Sequence, residues 1–362
     1  MKIAITGDWH LDASTGGFDR FNDVSNAIDE MLGHVIDEKV DLFVFLGDLC
    51  DPDANRSPRC VAVAINAALR LSNHGIASRW LVGNHDVIED GSGSSTLEPL
   101  EALRESVGLS ANVRVVYEPE LERIGDASFV WLPYVPRCLN YNAANFVRDL
   151  GEIDGPIVVA SHLSVRGIDP GSETHDMPRG RDLWLPLGEI ATNWIDRAFV
   201  VNGHYHKAHA AERFAMPGSL ARMTFGEEGN PTGFLILETP PSAAGFVQRR
   251  IELSSRQVVT LPGAVAAEQI ASGAIVRIKP PVGMTPEELD SLISIVRGKV
   301  SALKILPIPT AQCAVLAPIE SPVQRRSVRS VVDEMLQKID GVDLDKNAVV
   351  EFVGRILDEE GI

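Results

Sequence analysis

Residues 2–10 read Lys-Ile-Ala-Ile-Thr-Gly-Asp-Trp-His (KIAITGDWH), an apolar strand pattern that ends in Gly7 and two polar residues, Asp8 and His10. Four later segments repeat this arrangement. They are 41–46 with Gly47-Asp48, 78–82 with Gly83-Asn84-His85-Asp86, 156–160 with Ser161-His162, and 198–201 with Asn202-Gly203-His204-Tyr205-His206. Open α/β sheets place their sites beyond the carboxyl ends of strands, and a glycine lets the backbone turn sharply there. The sequence therefore predicts one site built by five strand ends.

Helical patterns alternate with these strands over the first 240 residues. Apolar residues recur at helical spacing in 21–39, and 58–71 and 97–107 also have helical patterns. A last strand pair is predicted at 234–238 and 247–253. Strands that alternate with helices predict an α/β layered domain.

The remainder of the chain predicts two smaller parts. A compact β-α-β pattern occupies 274–306, and its helix begins with the capping-box residues Thr285 and Glu288. Two helical stretches follow, at 323–339 and 347–360. We therefore divide the chain into 1–262, 263–318 and 319–362.

Composition excludes several classes of protein. The 362 residues carry a formal charge of -17, which argues against a generally basic nucleic-acid binder. The four cysteines form no C-x-x-C pair, which predicts neither a disulfide framework nor a zinc ribbon and favours a reduced, cytoplasmic compartment. No apolar window is long enough for a transmembrane helix or a signal peptide.

The polar residues at the strand ends suit metal ions. Carboxylates, one amide and several imidazoles favour Mn, Fe or Zn over Ca or Mg, which prefer oxygen ligands. Each motif alone has a simpler interpretation: Asp48 as a turn or cap residue, and His162 as a packed, hydrogen-bonded side chain. The order of all five motifs is what indicates a metal centre, and five of the nine histidines lie in them.

The order D-x-H, G-D-x-x-D, G-N-H-D, a lone H and G-H-x-H resembles that of the calcineurin-like metallophosphoesterases, over residues 1 to about 238. Within that superfamily the chain is similar to the nuclease subunit of the SbcC–SbcD complex and its meiotic-recombination counterparts. The narrower resemblance depends on Asp8-Trp9-His10-Leu11, Met216-Pro217-Gly218-Ser219 with Phe225-Gly226-Glu227-Glu228, and the placement of the β-α-β unit and the last helix. It implies a two-sheet sandwich flanked by helices, a small α+β capping domain and a helical C-terminal tail.

The resemblance also implies a role for each matching residue. One metal ion would be held by Asp8, His10, Asp48 and His206, and the other by Asp48, Asn84, His162 and His204. His85 would face the scissile phosphate and stabilise charge or protonate the leaving oxygen. Asp86 would orient the His85 imidazole. The resemblance implies that the two divalent metal ions are Mn. Asp51 stands where some members carry His, and we assign it no catalytic role.

The implied function is a DNA double-strand-break repair nuclease, with exonuclease activity on double strands and endonuclease activity on single strands, that acts with an SbcC-like coiled-coil ATPase. Residues 251–331 carry nine basic and six acidic groups, and this is the one net-positive segment of the chain. The implied DNA-binding residues of the cap are Arg277, Lys279, Arg297, Lys299 and Lys304. The tail at 319–362 would bind the ATPase.

Two other functions use the same residues. A phosphodiesterase or phosphatase could act on nucleotides or other small phosphoesters, although such an enzyme has no evident need for the cap or the tail. A scaffold with a dead site is a third interpretation, and the complete ligand set argues against it. The helix at 58–71 is apolar on most sides, which favours a homodimer interface or, alternatively, burial within one domain.

Overall fold

The computed structural model describes residues 1–51, 58–87, 94–106, 112–136, 139, 141–168, 183–239, 245–261 and 270–307. The predicted helices at 323–339 and 347–360, the tail and the boundary at 318 lie outside these residues. No helix within the described ranges is long and apolar enough to cross a membrane.

The first of two large sheets contains the strands that end in the first three motifs. Its strands are β1 (Lys2–Thr6), β4 (Leu42–Phe45), β5 (Ala77–Leu81), β6 (Val113–Val116), β13 (Gly233–Glu238) and β14 (Val247–Glu252). Their order is β14-β13-β1-β4-β5-β6. Strands β1, β4, β5 and β6 are parallel to one another, β13 is antiparallel to β1, and β14 is antiparallel to β13. A short hairpin, β2 (Ser14–Thr15) and β3 (Phe18–Asp19), follows β1.

The second sheet contains the strands that end in the last two motifs. Its strands are β7 (Glu120–Ile124), β8 (Ala127–Leu132), β9 (Ile157–Ser161), β10 (Ala198–Asn202), β11 (His209–Ala211) and β12 (Phe214–Met216). Their order is β11-β12-β10-β9-β8-β7, with β8, β9, β10 and β12 parallel. One apolar core joins the two sheets, and it includes Ile5 and Val44 from the first and Trp131, Val158 and Phe199 from the second. The predicted α/β two-sheet sandwich is therefore confirmed.

Helices cover the outer faces of the sandwich. They are α1 (Phe21–Asp37), α2 (Pro58–Asn73), α3 (Glu98–Ser106), α4 (Ala143–Leu150) and α5 (Leu187–Trp194). The stripe of buried residues in α1 packs on the first sheet, whereas α4 and α5 share a core with the second. In α2, Ala64, Ala68 and Leu71 are buried in the domain, while Ala62 is exposed and Val61 and Val63 are half-buried. The helix is thus part of the core on one side only.

A small unit with its own core follows the sandwich. It consists of β15 (Val258–Leu261), β16 (Ala274–Ile278), α6 (Pro286–Arg297) and β17 (Val300–Ile305). The three strands are parallel, and Leu292 and Val296 of α6 pack on them. The capping box is present, since Thr285 Oγ1 accepts from Glu288 N and Glu288 Oε2 accepts from Thr285 N. The sheet begins at Val258, before the predicted boundary at 263, because β15 pairs with β16 rather than with the sandwich.

Candidate metal centre

The loops after β1, β4, β5, β9 and β10 meet at one place, and two triads of ligand atoms form there. The first triad is Asp8, His10 and His206, and the second is Asp48, His162 and His204. Within each triad the three ligand atoms lie within 4.8 Å of one another, and five of the six residues are buried. The structure therefore brings together six of the seven residues that the sequence predicts as ligands.

Asn84 and Asp48 complete the arrangement. Asn84 Oδ1 lies 3.0 Å from His162 Nε2 and 3.0 Å from His204 Nδ1, which adds the seventh residue to the second triad. Asp48 Oδ2 lies 3.1 Å from His162 Nε2 and 3.7 Å from His10 Nε2 of the first triad. Asp48 is therefore the group placed between the two triads, as a bridging ligand requires.

The backbone around the ligands is strained. Among the described non-glycine residues, those with positive φ are Asp8 (53°), His10 (41°), Lys39 (51°), Asp48 (62°) and His204 (74°). Side-chain-bearing residues rarely adopt this left-handed conformation, and such strain is concentrated at functional sites. Four of the five residues are ligands of the predicted centre, so the strand-end turns are shaped to aim these side chains.

This conformation decides which triad each of the closely spaced ligands joins. Two residues that are two positions apart point to the same side only in extended backbone. His204 and His206 are two positions apart, but the left-handed turn at His204 sends the two side chains to different triads. Asp8 and His10 do converge on one triad, although their backbone is left-handed rather than extended.

Glycine is needed where the loops touch. A Cβ added to Gly83 would lie 2.2 Å from Asp48 Oδ1, and one added to Gly47 would lie 2.7 Å from His162 Nδ1. Gly47 also has a φ of 109°. These glycines let the loops after β4 and β5 approach closely enough for their ligands to meet.

The charges of the site favour cation binding. Although burial opposes its ionisation, His162 and His85 hold the pKa of Asp48 well below its usual range. Burial and then His206 and His85 lower the pKa of His10, and burial and His162 lower the pKa of His204 to about 3. Burial opposes charge on His162, but the Asp48 carboxylate raises its pKa to about 9. The site thus holds an ionised Asp48 carboxylate and neutral His10 and His204 imidazoles, which are the forms that bind metals, whereas His162 would release its proton when a metal binds.

The donor set fits two divalent metal ions. His10 Nε2 is buried and makes no hydrogen bond with any described residue. His162 is held by its other ring nitrogen, because Nδ1 donates to the Leu46 carbonyl at 2.6 Å and thereby directs Nε2 to Asp48 and Asn84. Carboxylate, amide and imidazole donors of this kind suit Mn, Fe or Zn.

His85 lies beside the centre without belonging to either triad. Its backbone N donates to Asp48 Oδ1 at 3.0 Å, and its ring is 4.9 Å from the His10 ring, edge to face. His85 Nε2 lies 4.0 Å from Asp48 Oδ2, and Nδ1 makes no hydrogen bond with a described residue. The imidazole is therefore adjacent to ligands of both triads, His10 of the first and Asp48 of the second.

Asp86 has other contacts than the expected one with the His85 imidazole. Its Oδ2 accepts from Asp48 N at 2.8 Å and Gly83 N at 2.9 Å, and its Oδ1 accepts from Leu49 N at 2.9 Å and Thr96 Oγ1 at 2.9 Å. The carboxylate is completely buried. Asp86 therefore fixes the loops that present Asp48 and Asn84, and it is a positioning residue rather than a partner of His85.

Sequence reasoning missed two further positioning residues. Glu227 is buried and accepts from His206 Nδ1 at 3.0 Å, which assigns His206 Nε2 to the metal side. Asn202 Oδ1 accepts from Leu163 N at 3.1 Å, and Asn202 Nδ2 donates to Leu163 O at 2.9 Å, so it ties the turn after β9 to the end of β10. Both residues stand within motifs noted above, but their contacts are tertiary and leave no pattern in the sequence.

The five basic residues assigned to DNA binding divide into two kinds. Lys279, Arg297, Lys299 and Lys304 are exposed. Arg277 is half-buried, donates to Thr260 Oγ1 at 2.9 Å, and its guanidinium lies 4.6 Å from the centre of the Phe225 ring. Arg277 therefore packs the small unit against the sandwich.

Comparison with known proteins places these observations in context. The calcineurin-like phosphoesterase family matches residues 1–216. No curated protein matches the chain. A dimetal phosphatase from Danio rerio is a similar solved structure, with 11% identity, 68% of this chain and 98% of that chain covered, and a TM-score of 0.41. The GAP50 anchor of the inner membrane complex of Plasmodium has 13% identity, with 70% of this chain and 84% of that chain covered and a TM-score of 0.40. The YfcE phosphoesterase from E. coli has 11% identity, with 70% of this chain and 100% of that chain covered and a TM-score of 0.29.

Proposed function

The chain belongs to the calcineurin-like phosphoesterase family, and from that premise we propose that it is a manganese-dependent DNA nuclease subunit. Metal-dependent hydrolysis of phosphoesters is the activity of the family, and the donor set of the two triads suits it. The finer proposal concerns the substrate, which we take to be the phosphodiester backbone of DNA ends and single strands.

The observation that carries this choice is the small unit docked beside the centre. Thr260 N in β15 donates to Glu228 Oε2 at 2.9 Å, and Arg277 stacks on Phe225. The segment that receives these contacts also contains Glu227, which holds the ligand His206. A polymeric substrate needs a surface beyond the metal centre, and the exposed basic residues of this unit supply positive charge for phosphates. A small phosphoester needs no such surface.

The residues of the site have separable roles in hydrolysis. Two divalent ions, when bound, supply Lewis acidity and orient the phosphate. Asp8, His10, Asp48 and His206 would hold one ion, and Asp48, Asn84, His162 and His204 the other. His85 is positioned to donate a proton or hydrogen bond to a phosphate oxygen, since its ring is adjacent to both triads. Asp86, Asn202 and Glu227 keep the loops and imidazoles in place.

The partners follow from the same proposal. The tail at 319–362 would bind an SbcC-like ATPase, which would help an acidic protein to retain DNA, and the protein would work in the cytoplasm.

We also propose a homodimer through α2 and α3. A cavity of about 460 Å³ lies between these helices, lined by Val61, Ser95, Thr96, Glu98, Pro99 and Ala102, and its largely apolar character supports a protein contact.

The second candidate is a phosphodiesterase or phosphatase that acts on nucleotides or other small phosphoesters with the same two triads. We propose to distinguish the two with purified protein in Mn²⁺. Linear duplex DNA, hairpin DNA and bis-p-nitrophenyl phosphate would be offered to the wild type and to His85→Gln, with and without a coiled-coil ATPase partner.

The nuclease proposal predicts cleavage of both DNA substrates and a loss of about 10²–10⁴-fold in His85→Gln, which is the range for removing a general acid. Hydrolysis of the small diester alone, with no DNA cleavage even in the presence of the ATPase, would overturn the nuclease proposal and favour the second candidate.

A further inference from the structure

Two buried cysteines, Cys50 and Cys60, lie next to the carboxylate of Asp12, and Cys50 is in the loop that also carries Asp48. Cys50 follows the strand end of β4, and Cys60 lies in the first turn of α2. Both residues are at most 1% exposed. The Cys50 and Cys60 sulfurs and a carboxylate oxygen of Asp12 lie within 4.8 Å of one another. None of the three belongs to the two triads.

The simplest interpretation is a pair of core thiols, and it explains the sulfurs well. A hydrogen bond with Cys60, together with burial, raises the pKa of the Cys50 thiol. Buried, protonated thiols of this kind behave as small apolar side chains. That interpretation gives no reason for a carboxylate at the same place.

The carboxylate of Asp12 is the observation that points to a ligand. Its Oδ1 accepts from Asp51 N at 2.8 Å. Its Oδ2 is shielded from solvent and has no hydrogen-bond partner among the described residues. A buried, unsatisfied carboxylate oxygen is unfavourable, because it has lost its hydration without replacement. A cation bound between this oxygen and the two sulfurs would restore that interaction.

The chemistry of the three donors selects the class of cation. Two thiolates and a carboxylate form a soft, sulfur-rich set, which favours zinc and similar metals. Zinc with thiolate ligands at about 2.3 Å keeps its tetrahedral ligands about 3.8 Å apart. Small side-chain rotations would bring donors within 4.8 Å to that spacing, and a water molecule could take the fourth position.

We propose that Asp12, Cys50 and Cys60 form a third metal site that binds zinc, separate from the two triads. Binding replaces the two thiol protons, which leave to solvent, and it changes no oxidation state. The site joins three parts of the chain: the loop after β1, the loop after β4 and the start of α2. It braces the loop that presents Asp48, and it does so whether or not the substrate is DNA.

Cobalt(II) substitution tests the proposal, because sulfur ligands leave a signature that the triads cannot produce. Cobalt bound to thiolates absorbs strongly in the near ultraviolet by charge transfer, whereas nitrogen and oxygen ligands give no such band. The full-length protein, kept reduced, would be titrated with Co²⁺ after removal of bound metals. The variants would be Cys50→Ser, Cys60→Ser, Asp12→Asn and, as a matched control, Cys138→Ser with Cys313→Ser.

We expect the wild type and the matched control to show the band and to bind three Co²⁺ per chain. Cys50→Ser and Cys60→Ser should lose the band and bind two, and Asp12→Asn should weaken binding at the third site at least tenfold. Asp48→Asn should keep the band, since Asp48 contributes only to the triads. A cooperative thermal unfolding transition in the cysteine variants would show that they are folded.

The proposal would be overturned by any of three results. They are absence of the band in the reduced wild type, persistence of the band in Cys50→Ser and Cys60→Ser, and loss of the band in the matched control alone. Recovery of Cys50 and Cys60 as a disulfide from the reduced, cobalt-titrated protein would also refute it, in favour of a redox pair.

Discussion

The hydrogen bond between Glu227 and His206 gives the sharpest prediction about the metal centre. Glu227→Gln keeps the size of the side chain but removes its charge. In the wild type Oε1 accepts from His206 Nδ1 at 3.0 Å and from Thr224 Oγ1 at 3.1 Å, and Oε2 accepts from Met223 N at 2.8 Å. A glutamine has one oxygen for these donors, so its amide nitrogen must face either His206 or Met223.

The size of the effect follows from the role of Glu227. A carboxylate behind a ligating imidazole fixes its tautomer and raises its basicity, and removing such a partner costs about 10–100-fold in metal affinity. That range corresponds to about 1.4–2.7 kcal/mol. Because His206 belongs to one triad only, we expect one of the two ions to bind more weakly and the other to keep its affinity.

Calorimetric titration of the metal-free protein with Mn²⁺ would measure both affinities. Glu228→Gln is the matched control, because Glu228 is the next residue, is exposed and accepts only from Thr260 N among the contacts described above. Two affinities in Glu227→Gln within twofold of those of Glu228→Gln would refute the argument, and so would an equal loss at both sites. Thermal unfolding of both variants would separate a weakened site from an unfolded one.

Three further predictions follow from the same structure. Asp86→Ala should lower the free energy of unfolding by at least about 3 kcal/mol, because it leaves three buried amides unsatisfied at about 1–3 kcal/mol each; an unchanged urea midpoint would contradict the assigned role. In the metal-free protein the pKa of His162 is raised to about 9. Protonation of His162 should therefore stabilise the fold fully below the ordinary histidine pKa of about 6.5. This stabilisation should decrease as the pH rises toward 9, by on the order of 3 kcal/mol in the free energy of unfolding. Urea unfolding in EDTA would measure it, and His162→Gln should show no such slope. Deletion of residues 340–362 should leave metal-dependent hydrolysis intact and abolish binding of the partner ATPase, and retained binding in a pull-down would show that the tail has another role.

The sequence predicts the sandwich well because its strands are short, apolar and bounded by polar residues. Predicted and observed bounds of β1 agree at both ends, 2–6, and those of β9 and β10 differ by one residue. All seven predicted ligands lie just beyond the ends of such strands, where a run of buried apolar residues gives way to polar residues. That is why the motifs are visible without a structure.

What the sequence does not predict depends on backbone turns and tertiary contacts. The family resemblance assigns His204 and His206 to different metal ions, but the turn that separates them, with a φ of 74° at His204, is indicated by no residue pattern in a side-chain-bearing residue. The role of Asp86 depends on amides that belong to a different strand end, and that of Glu227 on a histidine 21 residues away. The start of the small unit at Val258 was missed because β15 is a short apolar strand that could equally extend the sandwich.

The two triads would bind two metal ions that share Asp48. A crystal structure of the protein soaked in Mn²⁺, with anomalous scattering recorded for manganese, tests it directly. We expect two peaks about 3.5–4 Å apart, as in two-metal enzymes. One should lie beside Asp8, His10 and His206, the other beside Asn84, His162 and His204, and both should contact Asp48. A single peak, or two peaks that Asp48 does not join, would contradict it.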